Sequence, residues 1–399
     1  MIIKRNIFKE LCGQVERLEV TVLLGARQVG KTFLMEELRK YCEEKGFETL
    51  FLNLEIPSDL RELTGSEEAV FRKLTEKRNR ILFIDEFHYL ENGSRIFKAI
   101  YDSRLGIKIF ASGSSSIEIH THLKESLAGR LWKSRIYPLT FLERSQDPSF
   151  QAGLFYQFGG LPGLLNESSD ENRVKLLEMM VETYISKDIK SLVREENVRA
   201  FNHMLYLLAQ NQGSLVTVSS LSREIGLSEP TVKKHLHILS ETYICYALTS
   251  YSRNLANELK KSQKYYLYDL GIRNLFLKDF RPVDSRDDAG VIGETFVLHH
   301  LIPQMKGNVS VHFWRTKRGD EVDFVIVKNQ IPYPIEVKTR AGRVGIPEGM
   351  KRFIDAYPEV KEGIVYCRDV EDALDYKGVK IEFLPWERAE KVSFLQRVL

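Results

Sequence analysis

Two rhythms of apolar and polar residues divide the chain. In the first third, runs that are apolar at nearly every position recur at 19–24 (EVTVLL), 47–54 (FETLFLNL), 80–86 (RILFIDE) and 107–114 (IKIFASGS). Helical stretches at 31–45 and about 60–79 lie between them, and a further helix leads into 107–114. Strands without alternation, separated by helices, predict a parallel sheet covered on both faces. The segment 134–141 (SRIYPLTF) predicts a fifth strand.

After Asp147-Pro148 the rhythm becomes helical. Leu176, Leu177, Met180, Tyr184, Ile185, Ile189 and Leu192 recur at spacings of three and four. From about 216 a helix-turn-helix pattern follows. Ser219 is expected to cap its first helix, Gly226 to form the turn, and Ser228 to cap the second helix with Pro230 in its first turn. ICYALTSYSRN and KYYLYDLG read as a two-stranded wing. The polar stretch 281–289 (RPVDSRDDA) reads as a linker. Beyond it come a helix at 290–303, strands near 309–315, 321–328 and 332–338, a helix at 347–357, and strands at 362–368 and 379–386. Three regions are expected: an α/β core at 1–147, a helical and winged-helix region at 148–280, and a second α/β domain at 281–399.

A net charge of +3 over 399 residues is too mild to imply nucleic acid by itself, so such a claim must rest on local features. Cys12, Cys42, Cys245 and Cys367 form no CxxC pair, which argues against a zinc site or a disulfide framework and suits a reducing compartment. The N-terminus has no cleavable leader pattern, and no apolar run approaches the ~18 residues of a spanning helix. A cytoplasmic protein with no membrane partner is expected.

The chemistry concentrates first at Gly25-Ala26-Arg27-Gln28-Val29-Gly30-Lys31-Thr32, a full GxxxxGK[ST] match between a strand and a helix. Glycines let the backbone N–H groups turn toward phosphate oxygens, and the helix start aims its dipole at the same charge. ATP and Mg²⁺ are the expected ligands. Lys31 would reach the β- and γ-phosphates, Thr32 would ligate Mg²⁺, and the cradle would extend to Phe33. A second apolar strand ends in Asp85-Glu86, two carboxylates that are costly to desolvate unless a cation offsets them. Asp85 is assigned to Mg²⁺ and Glu86 to the attacking water. A third strand ends in Ser/Gly residues, among which Ser114, with Ser112 second, is the candidate γ-phosphate sensor.

GARQVGKT, LFIDEFHYL, ASGSSS, LAGRLWKSRIYPLTFLE and FGGLPGLL, in this order, resemble a prokaryotic AAA+-type ATPase family whose members carry a C-terminal domain of unknown function. The resemblance implies a five-stranded sheet in which one strand separates the Asp85 strand from the P-loop strand. Arg130, in Leu-Ala-Gly-Arg, matches the family's GR element. It is either an arginine finger, in its own subunit or a neighbouring copy, or a structural arginine.

Thr231, Lys233, Lys234 and His235 are expected on the solvent face of the second helix of the helix-turn-helix. Arg253, Lys260, Lys261 and Lys264 lie near in sequence, so DNA is a candidate partner. A lid or protein dock is the other reading of this region. Further on, Gly293-Glu294, then Asp323 in GDEVDFVIV, then Glu336-Val337-Lys338 resemble the restriction-endonuclease-like superfamily. Strand alternation puts Glu336 and Lys338 on one face and Val337 in the core, and turns Asp323 away from Val322 and Phe324. Glu294, Asp323 and Glu336 are the candidate Mg²⁺ ligands, with Lys338 orienting water. Arg315, Lys317 and Arg318 are candidates to grip phosphate. Two functions stay open: an ATPase that couples nucleotide state to a nuclease-like module on DNA, and an ATP-gated switch whose C-terminal domain cuts nothing.

Overall fold

The computed structural model describes residues 2–78, 80–114, 127–185, 189, 197–253, 262–342, 344–392 and 395. The first sheet contains β1 (Val20–Gly25), β2 (Glu48–Asn53), β3 (Arg80–Asp85), β4 (Lys108–Ser114) and β5 (Leu131–Arg135), in the order β2-β3-β4-β1-β5. All neighbours are parallel. β4 therefore separates the Asp85 strand from the P-loop strand, as the family resemblance implies. β1 and β3 are buried at every position, which explains their unbroken apolar sequence. The fifth strand lies earlier than its apolar signal suggested, because its residues include exposed Trp132, Lys133 and Arg135 at the sheet edge, while Ile136 and Leu139 sink into the core beyond it. The expected helix at 60–79 is two short helices, Pro57–Glu62 and Glu67–Leu74, the second capped by Ser66.

The middle region holds helices Asp170–Tyr184, Val198–Gln210, Val218–Ile225 and Glu229–Glu241. β6 (Leu215–Val216), β7 (Cys245–Leu248) and β8 (Gln263–Leu267) form an antiparallel sheet in the order β6-β8-β7. Thr217, rather than Ser219, caps the helix Val218–Ile225, accepting the Ser220 N–H at 3.0 Å. Gly226 closes that helix at φ 72°, and Ser228 caps the next one with proline in its first turn.

The last region carries the helix Ala289–Leu301 and a six-stranded mixed sheet. Its strands are β9 (Val309–Arg315), β10 (Glu321–Lys328), β11 (Ile331–Val337), β12 (Glu362–Tyr366), β13 (Asp372–Tyr376) and β14 (Val379–Leu384), in the order β13-β14-β12-β11-β10-β9. β13 carries no sequence signal because its side chains are largely exposed and no apolar face marks it. The stretch 281–289 is no loose linker. Arg286 is buried and donates to Asp288 and to Asn274 Oδ1, and Val283 is buried beside it.

The three regions share cores. One apolar cluster runs from β1 through the helices of the middle region to Ile272. A second joins Tyr156, Leu248, Tyr266 and Leu270 to Phe296, Phe324 and Trp386. Middle-region residues thus pack into both cores. No helix among the described residues is long and apolar enough to cross a membrane.

Candidate functional sites

β1 delivers the chain to the phosphate-binding loop. At Gly25 a Cβ would stand 2.2 Å from the Ile136 carbonyl oxygen, so only glycine passes here. Gly30 takes φ 91° and leads into the helix Lys31–Glu44. Lys31 is buried, and its ammonium donates to the carbonyls of Gly25 and Ala26 at 3.1 and 3.0 Å, inside the loop's concavity. Arg27 lies 3.9 Å from Glu55, Gln28 has φ 61°, Val29 is buried, and Phe33 is exposed beyond the helix start.

Thr32 and Asp85 come together from two elements: Thr32 Oγ1 donates to Asp85 Oδ2 at 2.7 Å. Both are hard oxygen donors, the set Mg²⁺ takes. Asp85 is almost fully buried. Burial raises its carboxyl above the ordinary range, against the hydrogen bonds from Ser112 and Thr32. Glu86 follows in a left-handed conformation, φ 52°, with its carboxylate 3.2 Å from His88 Nδ1. Ser112, the second choice from sequence, holds the pair: its hydroxyl donates to Asp85 Oδ1 and accepts the Glu86 N–H at 3.2 Å. Ser114 ends β4, and its side chain lies outside the described residues.

Arg130 sits at the opposite end of the sheet. Its carbonyl accepts the Val20 N–H, whereas the loop begins after Gly25. Five residues of strand separate them, roughly 16 Å at ~3.3 Å per residue. Its guanidinium donates to Asp102 at 2.7 Å and to the Ala128 carbonyl. Arg130 therefore does not reach the loop of its own chain, and a finger role within one subunit is corrected by this register.

Two other arginines lie near the loop, and the sequence pattern singled out neither. Arg135 pairs in register with Leu24 and stacks on Tyr243 of the middle region at 5.2 Å. Arg5 donates to the Val29 carbonyl at 3.0 Å, the Tyr137 carbonyl at 2.7 Å and Glu143 at 3.1 Å. Arg5 stands in no motif, Arg135 is one unremarked position of a longer one, and only their contacts reveal them.

On the helix Glu229–Glu241, Lys233 and Lys234 are exposed and Thr231 is half-buried. His235 is not on the solvent face: it is buried with its ring edge-on to Phe201 at 5.3 Å, because it falls on the same helical stripe as Val232 and Leu239. Arg253 pairs with Glu359 at 2.7 Å. Lys264 is fully buried rather than phosphate-facing, and Lys260 and Lys261 lie outside the described residues.

In the C-terminal sheet, Lys338 Nζ donates to Glu336 Oε1 at 2.7 Å, and Val337 is buried, as alternation required. Asp323 Oδ2 accepts the Val337 N–H at 2.8 Å, which ties β10 to β11 at the site. Alternation fails on β10. A bulge between Val322 and Val325 places Val322 and Phe324 in different apolar clusters, so Asp323 cannot face away from both. Glu294 lies inside the helix Ala289–Leu301, and it accepts the Tyr266 hydroxyl at 2.9 Å. Burial, then the Asp323 charge, pushes Glu294 and Glu336 up to about 8. Burial opposes the charge of Lys264, but Glu294, Asp323 and Glu321 outweigh it and hold its ammonium above the ordinary lysine value. Glu336 Oε2 is buried with no hydrogen-bond partner among the described residues. Asp323 and Glu336 thus offer hard oxygens for a cation. Among the described residues, however, no three acidic, His or Cys side chains converge as a cage, and Glu294 is occupied by Tyr266.

Residues 17–145 match the AAA domain family. Residues 154–282 and 289–387 match two domains of unknown function, DUF8612 and DUF4143. An uncharacterized protein of Mycobacterium tuberculosis is 24% identical over 92% of this chain and 80% of its own length. One from Haemophilus influenzae is 24% identical over 68% and 73%, and one from Methanocaldococcus jannaschii is 24% identical over 77% and 72%. Among solved structures, AMPPCP-bound DnaA from Aquifex aeolicus covers 59% of this chain and 86% of its own at 12% identity and a TM-score of 0.30. Pif1 helicase from Candida albicans covers 44% and 47% at 15% identity and a TM-score of 0.26. The N-terminal core is an AAA-type P-loop domain, a nucleotide-binding ATPase unit.

Proposed function

We propose that the chain is a Mg²⁺-dependent ATPase that couples nucleotide state to a winged-helix middle region and a restriction-endonuclease-like C-terminal domain acting on DNA. The observation that carries the ATPase reading is the meeting of Thr32 and Asp85 at 2.7 Å beside a loop whose concavity already holds an ammonium. In this reading the loop from Gly25 to Phe33 cradles the triphosphate, and Lys31 turns from the Gly25 and Ala26 carbonyls to the β- and γ-phosphates. Thr32 and Asp85 hold Mg²⁺, which neutralises charge on the transferring phosphoryl group when bound. Glu86 orients the attacking water, and Ser112 fixes Asp85 and Glu86 relative to one another. Ser114 keeps its place as an alternative sensor of the γ-phosphate.

Action on DNA rests on the order of helix-turn-helix and strands in the middle region, on exposed Lys233 and Lys234, and on exposed Lys317 and Arg318 at the β9–β10 turn. Cleavage rests on Asp323, Glu336 and Lys338, whose charges interact within one site. The second reading, an ATP-gated switch that cuts nothing, is favoured by one observation: the buried ammonium of Lys264 pairs with Glu321 on β10, the strand that carries Asp323.

The deciding experiment incubates purified protein with duplex and single-stranded DNA and Mg²⁺, with and without ATP. Cleavage lost in Lys338→Ala and retained in Lys31→Ala supports a nuclease that works beside the ATPase. ATP-dependent DNA binding with every DNA form intact supports the switch.

A further inference from the structure

The acids of the C-terminal domain are not enclosed by that domain alone. β8 of the middle region lies against the helix Ala289–Leu301: His299 Nε2 lies 2.7 Å from the Leu267 carbonyl, and Gln212 joins Thr295 to the Leu267 N–H. The chain after β7 also bonds to β9, with Phe313 N donating to Thr249 O at 3.1 Å and Tyr251 N to Phe313 O at 2.6 Å. Two side chains of β8 thereby enter the acidic site. Tyr266 donates to Glu294 Oε2 at 2.9 Å. Lys264 forms an ion pair with Glu321 on β10, its side chain only 1% exposed and its ammonium 5.4 Å from the centre of the Phe313 ring. Gly213 leaves the room this docking needs, since a Cβ there would stand 2.9 Å from Glu294 Oε2.

We propose that Lys264 is the resident counter-cation of this site, so that a divalent cation binds at Asp323 and Glu336 in competition with its ammonium. The inference rests on the reading of those two acids as cation ligands. A buried lysine among carboxylates supplies the positive charge that they would otherwise take from a metal. Two cations within ~8 Å of one another in such a site weaken each other's binding by more than about tenfold. The middle region would then set the affinity of the C-terminal site, and withdrawal of Lys264 would open it to the ion.

The test titrates Mn²⁺ into the nucleotide-free full chain at pH 8 and reads free Mn²⁺ by electron paramagnetic resonance. The proteins are wild type, Lys264→Met, Lys264→Gln, Lys264→Arg, and each neutral variant combined with Asp323→Asn. The expected result is Mn²⁺ binding that requires Asp323 and is at least about tenfold tighter in the neutral variants, with Lys264→Arg matching wild type. Either neutral variant suffices if the other fails to fold. Asp323-dependent binding of equal or lower affinity in the neutral variants overturns the role of Lys264 and leaves the ligand assignment standing. No Asp323-dependent binding in any protein overturns the ligand assignment and the inference with it.

Discussion

Arg5 donates a hydrogen bond to the Val29 carbonyl, in the middle of the phosphate-binding loop, from a position 24 residues upstream. The same guanidinium is paired with Glu143, both side chains nearly inaccessible at 7% and 3% exposure. Glu143 in turn closes a capping box with Thr140, whose hydroxyl also meets Glu390 near the C-terminus. Removing one partner of a buried pair leaves the other charge uncompensated, at about 3–5 kcal/mol. Arg5→Ala is therefore expected to lower stability to urea by that order. Where the protein still folds, it should bind ATP analogues more weakly, because the Val29 carbonyl loses its anchor. Calorimetric titration that finds unchanged affinity in folded Arg5→Ala would remove Arg5 from the support of the loop.

The loop itself was legible because its chemistry needs fixed residue types at fixed spacing: glycine at 25 and 30, lysine at 31, and a hydroxyl side chain at 32. Asp85 was legible because an acid that closes a fully apolar strand is costly to bury unless a cation faces it. Arg5, Arg135 and Lys264 were not. Each acts through contacts with residues distant in sequence, and nothing local distinguishes it from a surface cation. His235 misled for the opposite reason: a polar residue on the buried stripe of an amphipathic helix looks solvent-facing until its ring is seen against Phe201. At Asp323 a single bulge defeated strand alternation, a change of register that no residue type announces.

Ser112 bridges Asp85 and the Glu86 N–H, so it holds together the two acids on which hydrolysis depends in the proposed mechanism. Ser112→Ala leaves a buried carboxylate oxygen and a buried N–H without that partner, a cost of about 1–3 kcal/mol. Its kcat for ATP is expected to fall about tenfold or more while KM changes little. Parallel steady-state kinetics on Ser114→Ala identify the sensor: the serine whose loss lowers kcat more is the one that acts.

Lys31 and Glu86 separate binding from turnover. Lys31→Ala is expected to abolish tight ATP binding, since no other side chain in the loop carries a matching ammonium. Glu86→Gln is expected to bind ATP like wild type and to turn over at least about a hundredfold more slowly, as befits loss of a group that acts on the attacking water. Equilibrium binding and single-turnover hydrolysis on both variants check the pair. Normal turnover in Glu86→Gln would move the base elsewhere.

Lys108 opens β4 in the core of the ATPase sheet, donating to Thr21 Oγ1 at 2.7 Å. Burial pushes its ammonium down to about 7. In the unfolded chain the group stays near its ordinary value, about 10.4. Between these limits the unfolded state binds more protons than the folded one, so stability rises with pH. The burial penalty is full below about pH 7 and fades as pH approaches the ordinary lysine value. Urea unfolding at pH 7 and pH 9.5 should show wild type gaining on Lys108→Met by about 1.4 kcal/mol per pH unit. A difference that does not move with pH would mean that Lys108 keeps its charge throughout.

Arg130 supplies the remaining question of chemistry. Three other arginines lie in or beside the loop and each has a partner there: Arg27 lies 3.9 Å from Glu55, Arg135 stacks on Tyr243, and Arg5 bonds to backbone and Glu143. Arg130 lies roughly 16 Å along the strands from the loop, with a side chain one-third exposed that meets Asp102, the Ala128 carbonyl and the Tyr101 ring. Only a neighbouring copy could present it to a nucleotide. If it does so, specific ATPase activity must rise with protein concentration, and Arg130→Ala must lower the plateau by about a thousandfold, the scale of a lost arginine finger. Mixing Arg130→Ala with Lys31→Ala should then restore activity, because a subunit with an intact loop and no finger meets one with a finger and no loop. A concentration-independent rate in a monomer, with no recovery on mixing, would leave Arg130 a structural residue of its own chain, paired with Asp102.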